Sequence, residues 1–258
     1  MKWQFNSFAQ TDLGLVRDCN EDSALICANL IAVADGMGGH AGGEVASAIA
    51  INCLSQLQPV LLDEKVDKDS REDLFLNITH QIDQVILEKS KEQPDLAGMG
   101  TTFTALSIFD KNIELLHIGD SRCYRYRDNK LEQLSHDHTV MQELLDQGRL
   151  TAQEVFDHPQ RALLTQVLMG DSGLDPVLIS FEIKKGDRYL LCSDGLTNLL
   201  SDYEISKIIE ANEDKNIPQS LISEVRSKGA PDNITIIWSL VSSEKQSDQF
   251  KKLGAANE

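Results

Sequence analysis

Apolar segments of this chain repeatedly end in an aspartate that is followed by a small turn residue. The three segments and their turns are 30–34 with Asp35-Gly36, 115–119 with Asp120-Ser121, and 189–193 with Asp194-Gly195. A mirror image occurs later, where Asp232-Asn233 precedes the apolar segment 234–238. Short apolar runs bounded by turn residues are typical of buried strands. A single Asp-Gly or Asp-Ser pair is an ordinary turn, but four together predict carboxylates that converge at one end of a sheet sandwich.

Carboxylates gathered in this way repel one another and therefore need cations. At a separation of about 4 Å and an effective dielectric near 20, each pair costs about 4 kcal/mol. Oxygen ligands of this kind suit magnesium, manganese or calcium, and a set poor in histidine and cysteine disfavours zinc. The five cysteines are odd in number and show no C-x-x-C spacing, which is typical of buried free thiols in a reducing cytosol.

The composition excludes several classes of protein. Hydrophobic residues make up 41% and charged residues 25% of the chain, which excludes a disordered or fibrous protein, and the length of 258 residues predicts one large domain or two small ones. With 24 basic and 41 acidic residues the formal charge is −17, which argues against binding to nucleic acid or to an anionic membrane. No apolar run approaches the roughly 18 residues of a membrane span, and the N-terminus lacks a signal-peptide core. We expect a cytoplasmic monomer.

Further apolar runs and helical periodicities complete the predicted architecture. The predicted strands are 24–27, 30–34, 102–109, 113–118, 123–127, 177–183, 189–192 and 234–241, and the predicted helices are 44–57, 72–91, 202–211 and 218–228. Helices inserted between groups of strands favour packed antiparallel sheets with helices outside, an α+β fold. We expect one domain over residues 1–241, an irregular stretch at about 146–173, and a polar, disordered tail over 242–258.

Two polar segments supply residues suited to a phosphate group. Residues 17–23 carry Arg17, whose planar fork can hold two phosphoryl oxygens, and two carboxylates that can orient metal-bound waters. Taken alone, this segment is more often a solvated charged loop. Residues 35–44 contain five glycines, which let the backbone approach a ligand closely and place the Gly36 carbonyl near a metal. His40 lies in this turn at a helix start, where it is either a structural side chain or a proton donor.

Six motifs, taken in order, resemble those of the metal-dependent serine/threonine protein phosphatases of the 2C type. They are Arg17-x-x-Asn20-Glu21-Asp22-Ser23, Asp35-Gly36-Met37-Gly38-Gly39-His40, Gly98-Met99-Gly100-Thr101-Thr102, Ile118-Gly119-Asp120-Ser121-Arg122, Cys192-Ser193-Asp194-Gly195-Leu196 and Asp232-Asn233-Ile234-Thr235. One such motif is weak evidence, whereas six in the family's order over residues 11–240 are specific. The length is similar to that of compact bacterial members, which are often a bare catalytic domain that opposes a serine/threonine kinase.

The resemblance implies an α-β-β-α sandwich of two antiparallel sheets, with two Mg²⁺ or Mn²⁺ ions at one end. By matching position, Asp35 would bridge the two ions and the Gly36 carbonyl would bind one of them. Asp194 and Asp232 would complete the ligands of the other ion. Asp120, together with Asp194, would hold a third and weaker ion.

The same resemblance assigns roles to the residues around the ions. Glu21 and Asp22 would hydrogen-bond metal-bound waters. Arg17 would bind the substrate phosphate, and His40 would protonate the leaving alkoxide. The irregular stretch at about 146–173 resembles the mobile flap of the family.

Two positions depart from the family's pattern. Asn198 stands where many relatives carry a further aspartate, and this would weaken the third metal site. Ala230-Pro231 precedes Asp232 where a glycine or another small residue is usual, and the proline should stiffen the loop without removing the ligand.

The expected function is hydrolysis of phosphoserine and phosphothreonine in proteins by a metal-bridging hydroxide. Its expected partners are phosphorylated protein substrates, including a serine/threonine kinase and its targets. Two alternatives stay open: an inactive pseudophosphatase that serves as a binding module, and a phosphatase for small molecules or for regulatory phosphoproteins of the anti-sigma-factor type.

Overall fold

The computed structural model describes residues 3–38, 42–63, 65–151, 154, 163–170, 173–243 and 249–257. Strands and helices account for most of these residues. The strands within these ranges are β1 (Gln4–Asp12), β2 (Asp22–Cys27), β3 (Leu30–Met37), β4 (Gly100–Thr101), β5 (Phe103–Phe109), β6 (Asn112–Ile118), β7 (Arg122–Arg127), β8 (Lys130–Gln133), β9 (Val177–Glu182), β10 (Arg188–Cys192), β11 (Ile234–Ser242) and β12 (Phe250–Gly254). The α-helices are α1 (Gly43–Leu62), α2 (Lys68–Glu92), α3 (Val140–Asp146), α4 (Asp194–Thr197), α5 (Asp202–Ala211) and α6 (Ile217–Ser227).

The strands form two antiparallel sheets that pack face to face. One sheet has the order β1-β11-β10-β7-β8, and the other has the order β12-β2-β3-β5-β6-β9, with β4 paired to β3. Helices α1 and α2 cover the second sheet, and α4, α5 and α6 cover the first. These four layers confirm the expected α+β sandwich.

Strand β3 shows why the central strands are apolar on both faces. Leu30, Ala32 and Ala34 pack in the cluster beneath α1 and α2, whereas Ile31 and Val33 point into the core between the sheets. All five side chains are buried completely. Because side chains alternate across a strand, a strand with a second sheet on one face and helices on the other needs a continuous apolar run.

Helices α1 and α2 are longer than predicted, whereas α5 has the predicted bounds and α6 is shifted by one residue. Helix α1 continues through Pro59 to Leu62, and α2 begins at Lys68, after Asp67 accepts a hydrogen bond from the backbone N–H of Ser70. The predicted cap of α5 is confirmed as a capping box, in which Ser201 and Glu204 satisfy each other's backbone N–H groups.

The predicted disorder of the tail 242–258 is wrong for residues 249–257. Strand β12 pairs antiparallel with β2, with Lys252 opposite Leu25, and Leu253 is buried between the sheets. A 3₁₀ turn follows at Ala255–Asn257. Backbone pairing to a strand edge stabilises this segment, and composition does not reveal such pairing. Residues 244–248 and 258 lie outside the described part.

The sequence patterns also missed strands that are polar on one face. Strands β1 and β8 carry many polar residues, yet β1 pairs with β11 over its whole length, from Gln4 opposite Ser242 to Asp12 opposite Ile234. Residues 152–153, 155–162 and 171–172 of the flap expected at about 146–173 lie outside the described residues, and the flap stays a prediction. Within the described ranges, none of the helices combines the length and the apolar character needed to cross a membrane.

Candidate metal centre

The strand order brings the aspartates of the sequence motifs to one edge of the sandwich. In antiparallel pairs the start of one strand lies beside the end of its neighbour. Asp22, which opens β2, is therefore opposite Asp35 near the end of β3. By the same rule Asp194, just after β10, lies near Asp232, just before β11. Asp120 follows β6, which runs parallel to β3 because both strands pair antiparallel with β5.

Direct contacts tie the two sheets together at this edge. The Ser193 hydroxyl, on the first sheet, donates to Oδ2 of Asp22 on the second sheet over 2.8 Å. The Ser193 oxygen in turn accepts the backbone N–H of Thr235 at 2.9 Å. The carboxyls of Asp35 and Asp194 are close enough that the charge of Asp194 raises the pKa of Asp35. Residues that are far apart in the sequence thus meet in one acidic site.

The carboxyls of this site are held in surroundings that oppose their charge. Burial raises the pKa of Asp22 to about 7. Burial also raises the pKa of Asp35 well above its usual range, and the charges of Asp22, Asp194, Asp120 and Asp232 raise it further. The pKa of Asp194 is raised by burial and by Asp232. Repulsion of this kind is relieved when divalent cations neutralise the carboxylates.

The donor set and its packing fit hard divalent ions. The ligand atoms offered are carboxylate and carbonyl oxygens, which Mg²⁺ and Mn²⁺ prefer. Oδ1 of Asp22 is shielded from solvent and has no hydrogen-bond partner among the described residues. Position 36 has no room for a side chain, because a Cβ there would lie 2.1 Å from the Gly43 carbonyl oxygen and 2.5 Å from that of Glu21, so the backbone beside Asp35 packs directly against these two segments. The residues present therefore suit the expected metals.

Two threonines position Asp35 on its strand. The backbone N–H of Asp35 donates to Oγ1 of Thr102 at 3.0 Å. The Thr101 hydroxyl and the Thr102 N–H both donate to the Asp35 carbonyl at 2.9 Å. The Thr102 hydroxyl also lies 2.7 Å from that of Ser121, beside Asp120. The sequence motif that contains the threonines was recognised, but this positioning role was not.

The turn that carries Asp120 is held by hydrogen bonds between Gly119 and His138. The N–H of Gly119 donates to Nδ1 of His138 at 3.1 Å, and the His138 N–H donates to the Gly119 carbonyl at 2.8 Å. Burial raises the pKa of Asp120 well above its usual range, and Asp194 is its strongest charged neighbour. Asn198, the departure noted in the sequence, donates from Nδ2 to Oδ2 of Asp194 over 2.8 Å.

Arg17 places a positive charge at the acidic edge. Its Nη2 donates to Oδ2 of Asp232 at 2.8 Å, and its Nη1 lies 3.7 Å from a carboxylate oxygen of Glu21. The bond to Asp232 raises the pKa of the guanidinium, which therefore stays charged. With 46% of its side chain exposed, Arg17 retains solvent-facing N–H groups, and these can donate hydrogen bonds to an anion.

Asn233 fastens the loop that carries Arg17. Its Oδ1 accepts the N–H of Glu21 at 2.8 Å, and its Nδ2 donates to the carbonyls of Leu13 and Cys19 at 2.9 and 3.0 Å. Its own backbone N–H donates to Oδ1 of Asp232 at 2.9 Å. One buried amide therefore connects a metal-ligand candidate to the phosphate-binding candidate, and sequence reasoning assigned it no role.

The remaining predicted residues lie as follows. His40 falls outside the described residues, so its role as proton donor stays a prediction.

Glu21 lies beside Gly43, and its carboxylate is grouped with the thiol of Cys19 and the carboxylate of Glu44. Among the described residues, Cys19, Glu21 and Glu44 form the group of three possible metal-ligand side chains whose ligand atoms all lie within 4.8 Å of one another. The ligand atoms of the aspartates are farther apart.

Comparison with known proteins decides the family. Residues 18–221 match the family model described as Protein phosphatase 2C. The chain belongs to this family. The resemblance drawn from the six motifs is thereby confirmed, and so is the sandwich that the protein phosphatase 2C family implies.

Individual members of the protein phosphatase 2C family resemble the chain over most of its length. The serine/threonine protein phosphatase PstP of Mycobacterium tuberculosis is 41% identical over 232 residues, which cover 89% of this chain and 43% of PstP. The chain thus spans less than half the length of that relative. The serine/threonine phosphatase Stp of Listeria welshimeri is 32% identical over 240 residues, covering 88% of this chain and 92% of the relative.

Solved structures of protein phosphatase 2C enzymes also match. The catalytic domain of PstP in complex with two manganese ions has a TM-score of 0.84 at 38% sequence identity, and the match covers 94% of this chain and 100% of that domain. At this similarity the two chains share their fold across both sheets.

Proposed function

We propose that this chain is a Mg²⁺- or Mn²⁺-dependent phosphatase that hydrolyses phosphoserine and phosphothreonine in proteins. The observation that carries the proposal is the set of aspartates that the two sheets bring to one edge, beside a half-exposed arginine. Membership of the protein phosphatase 2C family and the two manganese ions bound by the similar PstP domain support it.

The proposed ligands are those that the motifs indicate. Asp35 would bridge two ions, the Gly36 carbonyl would bind one, and Asp194 with Asp232 would bind the other. Asp120, beside Asp194, is the proposed ligand of a third, weaker ion. When bound, such ions supply a hydroxide nucleophile at neutral pH and draw charge from the phosphoryl oxygens.

The other side chains would bind the substrate and move protons. Arg17 would exchange its bond to Asp232 for the phosphate and hold two of its oxygens with the guanidinium fork. Glu21 and Asp22 would accept hydrogen bonds from waters at the site, and Asp22 is fixed for this by the Ser193 hydroxyl. His40 would give a proton to the departing serine or threonine oxygen.

The proposed partners are phosphorylated proteins, including a serine/threonine kinase and its targets, and the proposed state is a monomer. We place the protein in the cytoplasm. All five cysteines are free, and three of them are buried, which suits a reducing compartment. The catalytic domain is proposed to include β12, since this strand completes the second sheet.

The deciding experiment measures phosphate release from a phosphothreonine peptide in EDTA and after addition of manganese. We expect no turnover in EDTA, full recovery with manganese, and loss of more than 99% of activity in Asp194→Asn. Asp73→Asn, an exposed acid on α2, is the matched control and should keep normal rates. Manganese binding without turnover on any phosphoester would instead identify a pseudophosphatase, and faster turnover of metabolite phosphates than of peptides would identify a small-molecule phosphatase.

A further inference from the structure

The loop that leads into Arg17 exposes three apolar side chains. Leu13 is 40% exposed, Leu15 is 54% exposed and Val16 is 68% exposed. They lie between β1 and β2 and directly precede the arginine. Single exposed apolar residues are common on protein surfaces, but three within four positions beside a ligand-binding side chain form a local apolar patch.

The backbone of this loop is fixed, so the exposure is built into the fold. The N–H of Leu15 donates to the carbonyl of Ala230 at 2.8 Å, and the carbonyl of Leu13 accepts from Asn233. Gly14 has a φ of +81°, and a Cβ there would lie 2.3 Å from the Asp232 carbonyl oxygen. The loop is therefore held against the segment just before β11, which contains the proposed metal ligand Asp232.

The occupant of this patch follows from its continuity with the phosphate site. Neighbouring residues of a peptide have Cα atoms 3.8 Å apart. A phosphoresidue held by Arg17 therefore brings the side chains that flank it close to the loop that precedes Arg17, which exposes Leu15 and Val16. The exposed carboxylate of Asp18 on the other side of Arg17, and the net charge of −17, oppose acidic side chains there.

We propose that Leu15 and Val16 bind an apolar side chain next to the phosphorylated residue of a protein substrate, and so give the enzyme a preference for such sites. This inference rests on the proposed function, because it assigns the phosphate to Arg17. One methylene group more or less in a hydrophobic pocket changes kcat/KM by roughly 10- to 200-fold. For a surface patch we expect the lower end, about tenfold.

The test uses phosphothreonine peptides that are identical except for leucine or serine at the two positions on each side of the phosphoresidue. Para-nitrophenyl phosphate, which has no flanking residue, is measured in parallel. We expect the wild-type enzyme to favour the leucine peptide about tenfold in kcat/KM. In the double variant Leu15→Ser with Val16→Ser this ratio should fall below about twofold, with a larger loss on the leucine peptide than on para-nitrophenyl phosphate.

Val60→Ser is the matched control. Val60 is 42% exposed near the end of α1, roughly 25 Å along that helix from the edge that carries the aspartates. It should keep both the wild-type rates and the wild-type preference. A wild-type enzyme without preference, a double variant that retains it, or an equal loss on all substrates would overturn the proposal. Absence of hydrolysis of every substrate in manganese would instead contradict the proposed function.

Discussion

Replacing Asn233 by alanine removes three hydrogen bonds that hold the Arg17 loop. The N–H of Glu21 and the carbonyls of Leu13 and Cys19 lose their partner. At about 1 kcal/mol for each bond, the free energy of unfolding should fall by about 3 kcal/mol. For a domain of this size that lowers the melting temperature by roughly 6–12 °C. The Asp232 carboxyl keeps its bond to the backbone N–H of Asn233, which the substitution does not remove.

Asn233→Asp distinguishes this network from simple packing. Aspartate has nearly the shape of asparagine and can still accept the N–H of Glu21, but its second oxygen would face the Leu13 and Cys19 carbonyls without a proton. We therefore expect this variant to be at least as unstable as Asn233→Ala. Both variants should also raise KM for a phosphopeptide, since the loop positions Arg17.

Urea unfolding and hydrogen exchange of the amides in residues 13–21 measure the effect. Asn112→Ala is the control, because its side chain makes one exposed hydrogen bond, to Ser180, and the loss should stay below about 1 kcal/mol. A change of less than about 0.5 kcal/mol in Asn233→Ala, or unchanged exchange in the loop, would show that Asn233 does not hold it.

Two further perturbations test the charge of the site and a buried histidine. In EDTA, Asp35→Asn should raise the free energy of unfolding by about 1 kcal/mol, because it removes a buried charge from a repulsive cluster. Manganese at 100 times its Kd should stabilise the wild type by about 2.7 kcal/mol but not this variant; equal stabilisation in a thermal melt would exclude Asp35 as a ligand. Burial lowers the pKa of His117 to about 3, while its ring nitrogens contact the Thr104 hydroxyl and the His136 carbonyl. An unfolded histidine titrates near 6.5, so acidification from pH 6.5 towards 3 protonates the unfolded chain first and lowers stability, by up to about 1.4 kcal/mol per pH unit. His117→Gln should therefore gain stability relative to the wild type between pH 6.5 and 4, and a constant difference in urea unfolding across this range would refute the assignment.

The sequence predicted the buried strands well, because each of them arises from a local run of apolar residues. Residues 30–34 form a continuous apolar run, and the structure places them between helices and a second sheet. The aspartates at strand ends were also readable, since strand ends and turn residues are marked in sequence. That they meet at one edge depends on strand order, which the family's motifs indicated and periodicity alone did not.

The features of the fold and of the site that the sequence did not predict depend on contacts between residues that are far apart in the sequence. The four-residue repeat of Val45, Ile49, Cys53 and Leu57 predicts the buried face of α1, yet these side chains are only half-buried. The completely buried face lies one position further along the helix, at Ala46, Ala50 and Leu54, together with Ser47 and Ile51. Small residues let the helix approach the sheet closely, and hydrophobic periodicity gives them little weight.

Asn233 illustrates the same limit within the site. The residue was seen only as part of a turn before β11, whereas its partners lie more than 210 residues earlier in the chain. Nothing near it in sequence marks a side chain that will bond three backbone groups of another loop. Such roles become visible only when the fold brings the two segments together.

Strand β12 has a practical consequence for handling the protein. It covers the outer edge of β2, and its following turn donates the N–H of Ala256 to the Ser23 hydroxyl, which also contacts Ser47. An expression clone cut back to residue 243 would leave the backbone of β2 bare along that edge, and bare edges recruit other chains into aggregates. Purification schemes should therefore retain the last residues.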